Sequence, residues 1–471
     1  MKFTRIALAT AACCGLVATG TQAQGLRQPG SVQPVALTYD YYAQDTATPS
    51  PSDLAAAGTS DLGYVDVGQK DGKGCGCDAK GGGKGGKGCS SCDPWRLFPT
   101  IGNGWTVEGW IAAGGTANAD NPPSNYNGPV TFNDRADEFM MNQAYVTFGR
   151  EADNGGCGWA WGGRLDLLYG TDFIFTQAAG LETQPDGTNA WNGSKMYGLA
   201  MPQAYVDVAY NDLSVKVGHF YTIMGYEGVK ATSNFFYSHA YTMQYAEPFT
   251  HTGALATYNY NSNWTLYGGL VNGWDKFDAV SDKMAFLGGA TYTPDSERYS
   301  ATATFITGEE DGIAPPTTVR SGYSLVFDYD INCRLKYVFQ HDNFWQEDVG
   351  GPGVDAEWYG INQYLFYTLN DCWKFGARVE WFRDDDGVRL SGAPLRESLT
   401  GGVPAGGFLA PAAAAGNYYN FTLGANWTPR PNLTVRPEAR WDWSDGTAGR
   451  PFDSGAKDSQ FTAAVDAIFL F

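Results

Sequence analysis

The residues best suited to chemistry fall into four groups. Cys75, Cys77, Cys89 and Cys92 cluster in "CGCDAKGGGKGGKGCSSC". A Cys-x-Cys followed by a Cys-x-x-Cys offers four thiolates to a zinc ion, or the sulfurs for two disulfides. Acidic runs stand at "DRADE" (Asp134 to Glu138) and "RDDDG" (Arg383 to Gly387). Carboxylates so grouped can ligate calcium, although solvated loops carry such runs as a matter of course. His219, His239, His251 and His341 are the only histidines, and none has ligand-like spacing to another. The fourth group consists of charges set two or four residues apart: Arg164 and Asp166; Lys374, Arg378 and Glu380; Arg436, Glu438, Arg440 and Asp442. No nucleophile, base and orienting group stand out together. No catalytic residue and no cofactor are expected, and a metal is left open.

The two-residue spacing points to the elements beneath it. In "LTVRPEARWDW", Leu433, Val435, Pro437, Ala439, Trp441 and Trp443 form one face, and Thr434, Arg436, Glu438, Arg440 and Asp442 the other. "WKFGARVEWF" and "WGGRLDLLYG" repeat the pattern. A strand puts successive side chains on opposite faces, so each segment is a strand with one apolar and one polar side. Ten or so such residues cross a bilayer when tilted, whereas soluble strands average about 5–6.

Sixteen segments fit: 105–114, 139–149, 159–171, 201–210, 213–220, 252–260, 264–272, 285–293, 299–308, 321–330, 333–342, 356–369, 373–383, 418–428, 433–443 and 460–471. Their connections alternate. Short ones such as "ND" (Asn211–Asp212), "NSN" (Asn261–Asn263) and "PRPN" (Pro429–Asn432) carry hairpin residues. Long ones span 115–138, 172–200, 221–251 and 384–417. Tight turns at one end and long loops at the other are the habit of an outer-membrane barrel. The expected fold is therefore all-β: a transmembrane antiparallel up-and-down β-barrel of about 16 strands. An even count puts both barrel ends at the periplasmic face. The alternation continues to Phe471, and closure onto the first strand leaves the last one no exposed edge.

Composition agrees. Charged residues are 17%, aromatics 15%, and glycines number 61. The net charge of −19 argues against nucleic acid as a partner, since two polyanions repel. Residues 1–23 read as a signal peptide, with Lys2 and Arg5 before an apolar run and small residues near Ala23. Thr10, three places before Cys13, argues against a lipoprotein signal. No later segment has the roughly 18 apolar residues of a membrane helix. Residues 24–100 are rich in Gly, Lys, Ser and Pro without apolar periodicity, and read as a disordered periplasmic linker before a barrel over 101–471. Export favours disulfides over zinc for Cys75, Cys77, Cys89 and Cys92.

The stretch "VKVGHFYTIMGYEGVKATSNFFYSHAYTMQYAEPFTHTGALATYNY", with "GGLVNGWDKF" after it, resembles the OmpL-like β-barrel porin family of the porin-2 type. The matching residues include Gly218, Phe220, Tyr221, Gly225, Tyr226, Glu227, Phe236, Tyr237, Ser238, Glu247, Pro248, Phe249, Gly273, Trp274 and Asp275. The resemblance runs from about Trp105 to Phe471 and implies an outer-membrane, porin-like barrel. It supplies no catalytic residue, and the cysteine-rich segment lies outside it.

On this reading a water-filled lumen is lined by the polar faces. Candidate wall cations are Arg164, Lys216, Arg334, Lys336, Lys374, Arg378, Arg436 and Arg440; candidate anions are Asp166, Asp207, Asp328, Glu380, Glu438 and Asp442. Cross-strand pairing is the plainer role for each. The third long connection carries Ile223, Met224, Phe235, Phe236 and Tyr237, awkward on an exposed loop. General porins fold their third loop inward, and that resemblance offers Glu227, Lys230, His239 and Glu247 to a constriction. The expected function is passive diffusion of small hydrophilic solutes or ions through the barrel. Lipid is the expected surroundings, and a homotrimer is compatible with a porin. The rivals are a surface adhesion or structural protein anchored by its barrel, and an outer-membrane hydrolase.

Overall fold

The computed structural model describes residues 97–471, apart from 185–187, 195, 280–281, 311–316, 392–410 and 448. The signal peptide, nearly all of the 24–100 linker and its four cysteines lie outside the described residues.

Sixteen antiparallel strands close into one barrel, each paired with its sequence neighbours and β1 with β16. They are β1 (Thr106–Asn118), β2 (Phe139–Arg150), β3 (Trp159–Gly170), β4 (Gly198–Tyr210), β5 (Leu213–Tyr221), β6 (Thr250–Asn259), β7 (Trp264–Val271) and β8 (Ala285–Tyr292). The second half comprises β9 (Tyr299–Glu310), β10 (Thr318–Asn332), β11 (Leu335–Gln346), β12 (Ala356–Asn370), β13 (Trp373–Asp384), β14 (Gly416–Arg430), β15 (Leu433–Asp445) and β16 (Ser459–Leu470). The last strand meets the first from Trp110↔Leu470 to Asn118↔Thr462. Phe471 adds two backbone bonds to Gly109, at 2.9 and 3.0 Å. Closure thus pairs the ladder groups that an open sheet would leave exposed on both edges.

The alternation sorts side chains as the sequence implies. Along β13, Phe375 and Val379 are exposed and Arg378 and Glu380 are buried. Along β16, Phe461, Val465 and Phe469 are exposed and Gln460, Thr462 and Asp466 are buried. At the end with short turns, outward aromatics touch from strand to strand: Trp159 and Tyr210 at 4.5 Å, Trp264 and Tyr292 at 4.9 Å, Trp373 and Trp427 at 5.9 Å. Such girdles sit where a barrel leaves the hydrocarbon, because an aromatic ring with a polar edge suits the interface.

Several details depart from the sequence reading, among them strand ends displaced by up to four residues. β1 continues to Asn118, past the expected end at 114, because "GGTAN" pairs with β16 despite its weak strand propensity. Arg334, expected on the wall, lies in the turn before β11 and is exposed. Cys333 and Cys372, in the turns after β10 and β12, are both disulfide-bonded, a feature the sequence reading did not assign. Cys157 is free and exposed.

Candidate functional site: an inward loop and the wall that receives it

The connection 222–249 between β5 and β6 does not stay outside the barrel. Nearly all its residues are buried, including Met224, Phe236, Tyr241, Met243 and Tyr245. It crosses the lumen and bonds to strands remote in sequence. One flank meets β2: Gln143 donates to the Val229 carbonyl (2.6 Å) and accepts from the Ala231 amide (2.9 Å). Tyr237 donates to Asn142 at 2.8 Å. The other flank lies along β13, β14 and β15.

That second flank is where most of the charged wall residues stand. Arg378 donates to Glu227 (2.7 Å), to the Ser238 carbonyl (2.8 Å) and to the Ser238 hydroxyl (3.0 Å). Glu380 accepts from the Tyr241 amide (2.8 Å), and from the amide and hydroxyl of Thr242 (2.6 and 2.7 Å). Arg436 is paired with Asp466 (2.6 Å) and donates to the carbonyls of Ala231 and Asn234 (2.9 and 2.7 Å). Glu438 accepts from the amides of Tyr237 (2.9 Å) and Ser238 (3.1 Å). Arg440 reaches the His239 carbonyl and pairs with Asp442, which also accepts from the Tyr241 hydroxyl (2.6 Å). An irregular loop carries backbone groups that no ladder satisfies, and burying them unpaired costs about 1–3 kcal/mol each. The wall charges meet that need with charge-assisted bonds, the stronger kind.

Arg378, Glu380, Arg436, Glu438 and Arg440 therefore do stand on the inner wall, and the loop covers them. Glu227 and His239 come into the same cluster, with His239 Nδ1 3.3 Å from Glu227 but poorly aligned for a hydrogen bond. Burial alone would raise the Glu227 carboxyl. Arg378, with His239 and the Ala240 amide, outweighs burial and holds it well below the usual carboxylate range. Burial keeps the His239 imidazole easier to deprotonate than usual, against the pull of Glu227. Lys230 lies 5.7 Å from the Tyr221 ring, and Glu247 is bonded by Gln340 of β11.

Arg164, Asp166, Lys216 and Lys374 form no part of that cluster. Arg164 pairs with Asp166 at 2.8 Å, and Lys216 lies over the Tyr205 ring at 4.5 Å. Arg164, Lys216 and Lys374, with Asp207 and the Asp328–Lys336 pair (2.7 Å), are half-exposed toward the end with short turns. Toward the loop end the inner wall is packed: Trp110, Leu168, Phe220, Val271, Leu287, Ile306, Phe344, Trp358 and Phe382 are all buried. Among the described residues, no group of three or more His, Cys, Asp or Glu could hold a metal ion.

The depressed Glu227 group sets an acid limit for the loop. Its contribution to docking is fully present above the unfolded value near pH ~4.3 and is lost only as pH falls through the still lower folded value. Between pH 7 and 5 Glu227 adds no pH dependence, but His239, kept neutral by burial, takes up a proton more readily once undocked, so lowering the pH through its unfolded value of about 6.5 should weaken loop protection in hydrogen exchange, after correction for intrinsic rates. Protection unchanged from pH 7 to 5 would contradict a buried, neutral His239.

Sequence reasoning missed the polar partners Asn142, Gln143, Asn420 and Gln340, and the inward glycines of β12–β14. The amides gave no signal, since a single amide on a polar face is ordinary. The glycines did: Gly376 and Gly424 fall at inward positions inside clean strand alternations, not in the turns themselves.

A family model described as "Putative beta-barrel porin-2, OmpL-like" matches residues 104–471. Among solved structures, the chain is similar to the outer membrane channel DcaP of Acinetobacter baumannii (12% identity, TM-score 0.50, covering 81% of this chain and 100% of that chain). It is also similar to the anion-selective porin from Comamonas acidovorans (11% identity, TM-score 0.52, covering 78% of this chain and 99% of that chain). No curated protein matches by sequence.

Proposed function

Because the chain belongs to the OmpL-like porin-2 family of β-barrel porins, we propose that it conducts small hydrophilic solutes passively across the bacterial outer membrane, through a bore set by the loop 222–249. The observation that carries this reading is the cylinder of sixteen two-faced strands, apolar outside and with charged and polar side chains, beside an apolar packed zone, inside, with that loop seated within it. An outer-membrane channel needs no energy source and no cofactor: solutes enter and leave down their gradients. The short turns would face the periplasm and the long loops the exterior, following the habit of such barrels. The half-exposed residues Arg164, Asp207, Lys216, Asp328, Lys336 and Lys374 would then line a periplasmic vestibule of mixed charge. Such a wall favours hydrated polar solutes without a strong preference for one ion sign. The buried charges would act on passage indirectly, by fixing the loop. A homotrimer in the membrane belongs to the same proposal.

Purified protein in planar bilayers is expected to give stepwise currents of small unit size, with a reversal potential near zero in a salt gradient. A barrel silent at every voltage would reject the proposal and favour the adhesion or structural reading.

A further inference from the structure

The loop's aromatic pair rests on a part of the wall that has no side chains. Gly376 of β13 and Gly424 of β14 are directly paired, in a row that runs from Phe366 of β12 to Glu438 of β15. A Cβ on Gly376 would lie 2.5 Å from the Phe235 ring, and one on Gly424 would lie 3.0 Å from the Phe236 ring. A Cβ on Gly360, on β12, would strike the Thr242 hydroxyl. None of the three has the positive φ that makes glycine necessary for the backbone. Glycine in a strand interior weakens it, so its presence there calls for another reason, and close approach of another segment is one.

The aromatics are held from every side. Phe235 packs on Phe366 at 4.8 Å, and the Arg378 guanidinium lies 5.1 Å from the centre of the Phe236 ring. With its amide turned to donate, Asn426 reaches the Phe235 carbonyl at 2.9 Å. Glu438, next in the row, takes the Tyr237 and Ser238 amides. The rings therefore cannot slide sideways to accommodate a larger floor; they would have to lift toward the lumen axis.

We infer that Gly360, Gly376 and Gly424 are positioning residues for transport: a bare floor that lets the loop seat against the far wall and so fixes the bore. They touch no solute and act through Phe235, Phe236 and Thr242. The inference deepens the channel reading and rests on it for its functional consequence, but the seating itself can be tested without current.

The test uses the full-length protein in detergent and in bilayers, with Gly376→Leu, Gly424→Leu, and Gly376→Leu combined with Phe235→Ala. Hydrogen exchange resolved to the segment 231–246 reads the seat directly, because the Tyr237, Ser238, Tyr241 and Thr242 amides are bonded to wall carboxylates. Each single leucine should speed exchange there at least about tenfold while the strands stay protected. Truncating Phe235 should restore slow exchange in the Gly376→Leu protein, because it vacates the space the leucine needs. A glycine needed only for strand geometry would not be rescued in this way, and failure of rescue overturns the inference, as does unchanged exchange in both single variants. Unit conductance is recorded on the same proteins. Released exchange with altered conductance supports both readings; released exchange with no current in any variant supports the seat and rejects the channel.

Discussion

Replacing residues 231–242 with a short glycine linker is expected to raise the unit conductance several-fold and to admit larger solutes. Those residues lie inside the barrel against β2, β15 and β13, and they carry Phe235, Phe236, Tyr237 and Tyr241, all but one of them buried. A closed cylinder of about sixteen strands without a plug is wide enough for water and small solutes, so what the loop occupies it denies to them. Twelve residues leave in this variant, but all sixteen strands and their ladder remain, so the barrel should still assemble. Unit conductance and liposome swelling with sugars of graded size measure the effect. An unchanged unit current would mean that the loop does not set the bore. Current noise should also grow, because Glu380, Arg436 and Glu438 lose partners that now immobilise them.

Arg378→Ala is expected to be the most damaging single substitution in the dock. Its guanidinium is fully buried and serves Glu227 and Ser238 on the loop, and Asn420 and Thr422 on β14. Removing it strands the Glu227 carboxylate in a buried site; breaking one side of a buried pair costs about 3–5 kcal/mol. That corresponds to an increase on the order of a hundredfold or more in the undocked population of the loop. The global strand ladder does not depend on it, so the loss should appear in loop exchange and channel noise rather than in barrel unfolding. Arg378→Ala combined with Glu227→Gln should cost less than the sum of the single changes, because the two orphaned charges disappear together. Simple additivity would show that the pair is not coupled.

The sequence by itself determined the cylinder. A bilayer on one side and a polar lumen on the other force side chains to alternate one by one, and "WKFGARVEWF" or "LTVRPEARWDW" records that rule with no reference to distant residues. Short turns of Asn, Asp and Pro set the hairpin order locally, and so all sixteen strands were legible. The inward direction of the strand-borne wall charges was legible for the same reason, down to Arg378 and Glu380, whereas Arg334 fell in a turn instead.

What each charge meets was decided only by the tertiary structure. Glu227 and Arg378 are 151 residues apart, and Tyr237 and Glu438 are 201 apart. No periodicity links such pairs, because the loop has none and its path is set by which wall groups can satisfy its backbone. The alternation said "inward", which a charge facing water and a charge under a buried loop satisfy equally. The apolar content of Phe235-Phe236-Tyr237 hinted at burial, but only folding brings the rings over Gly376 and Gly424, where the absence of two side chains makes room for them.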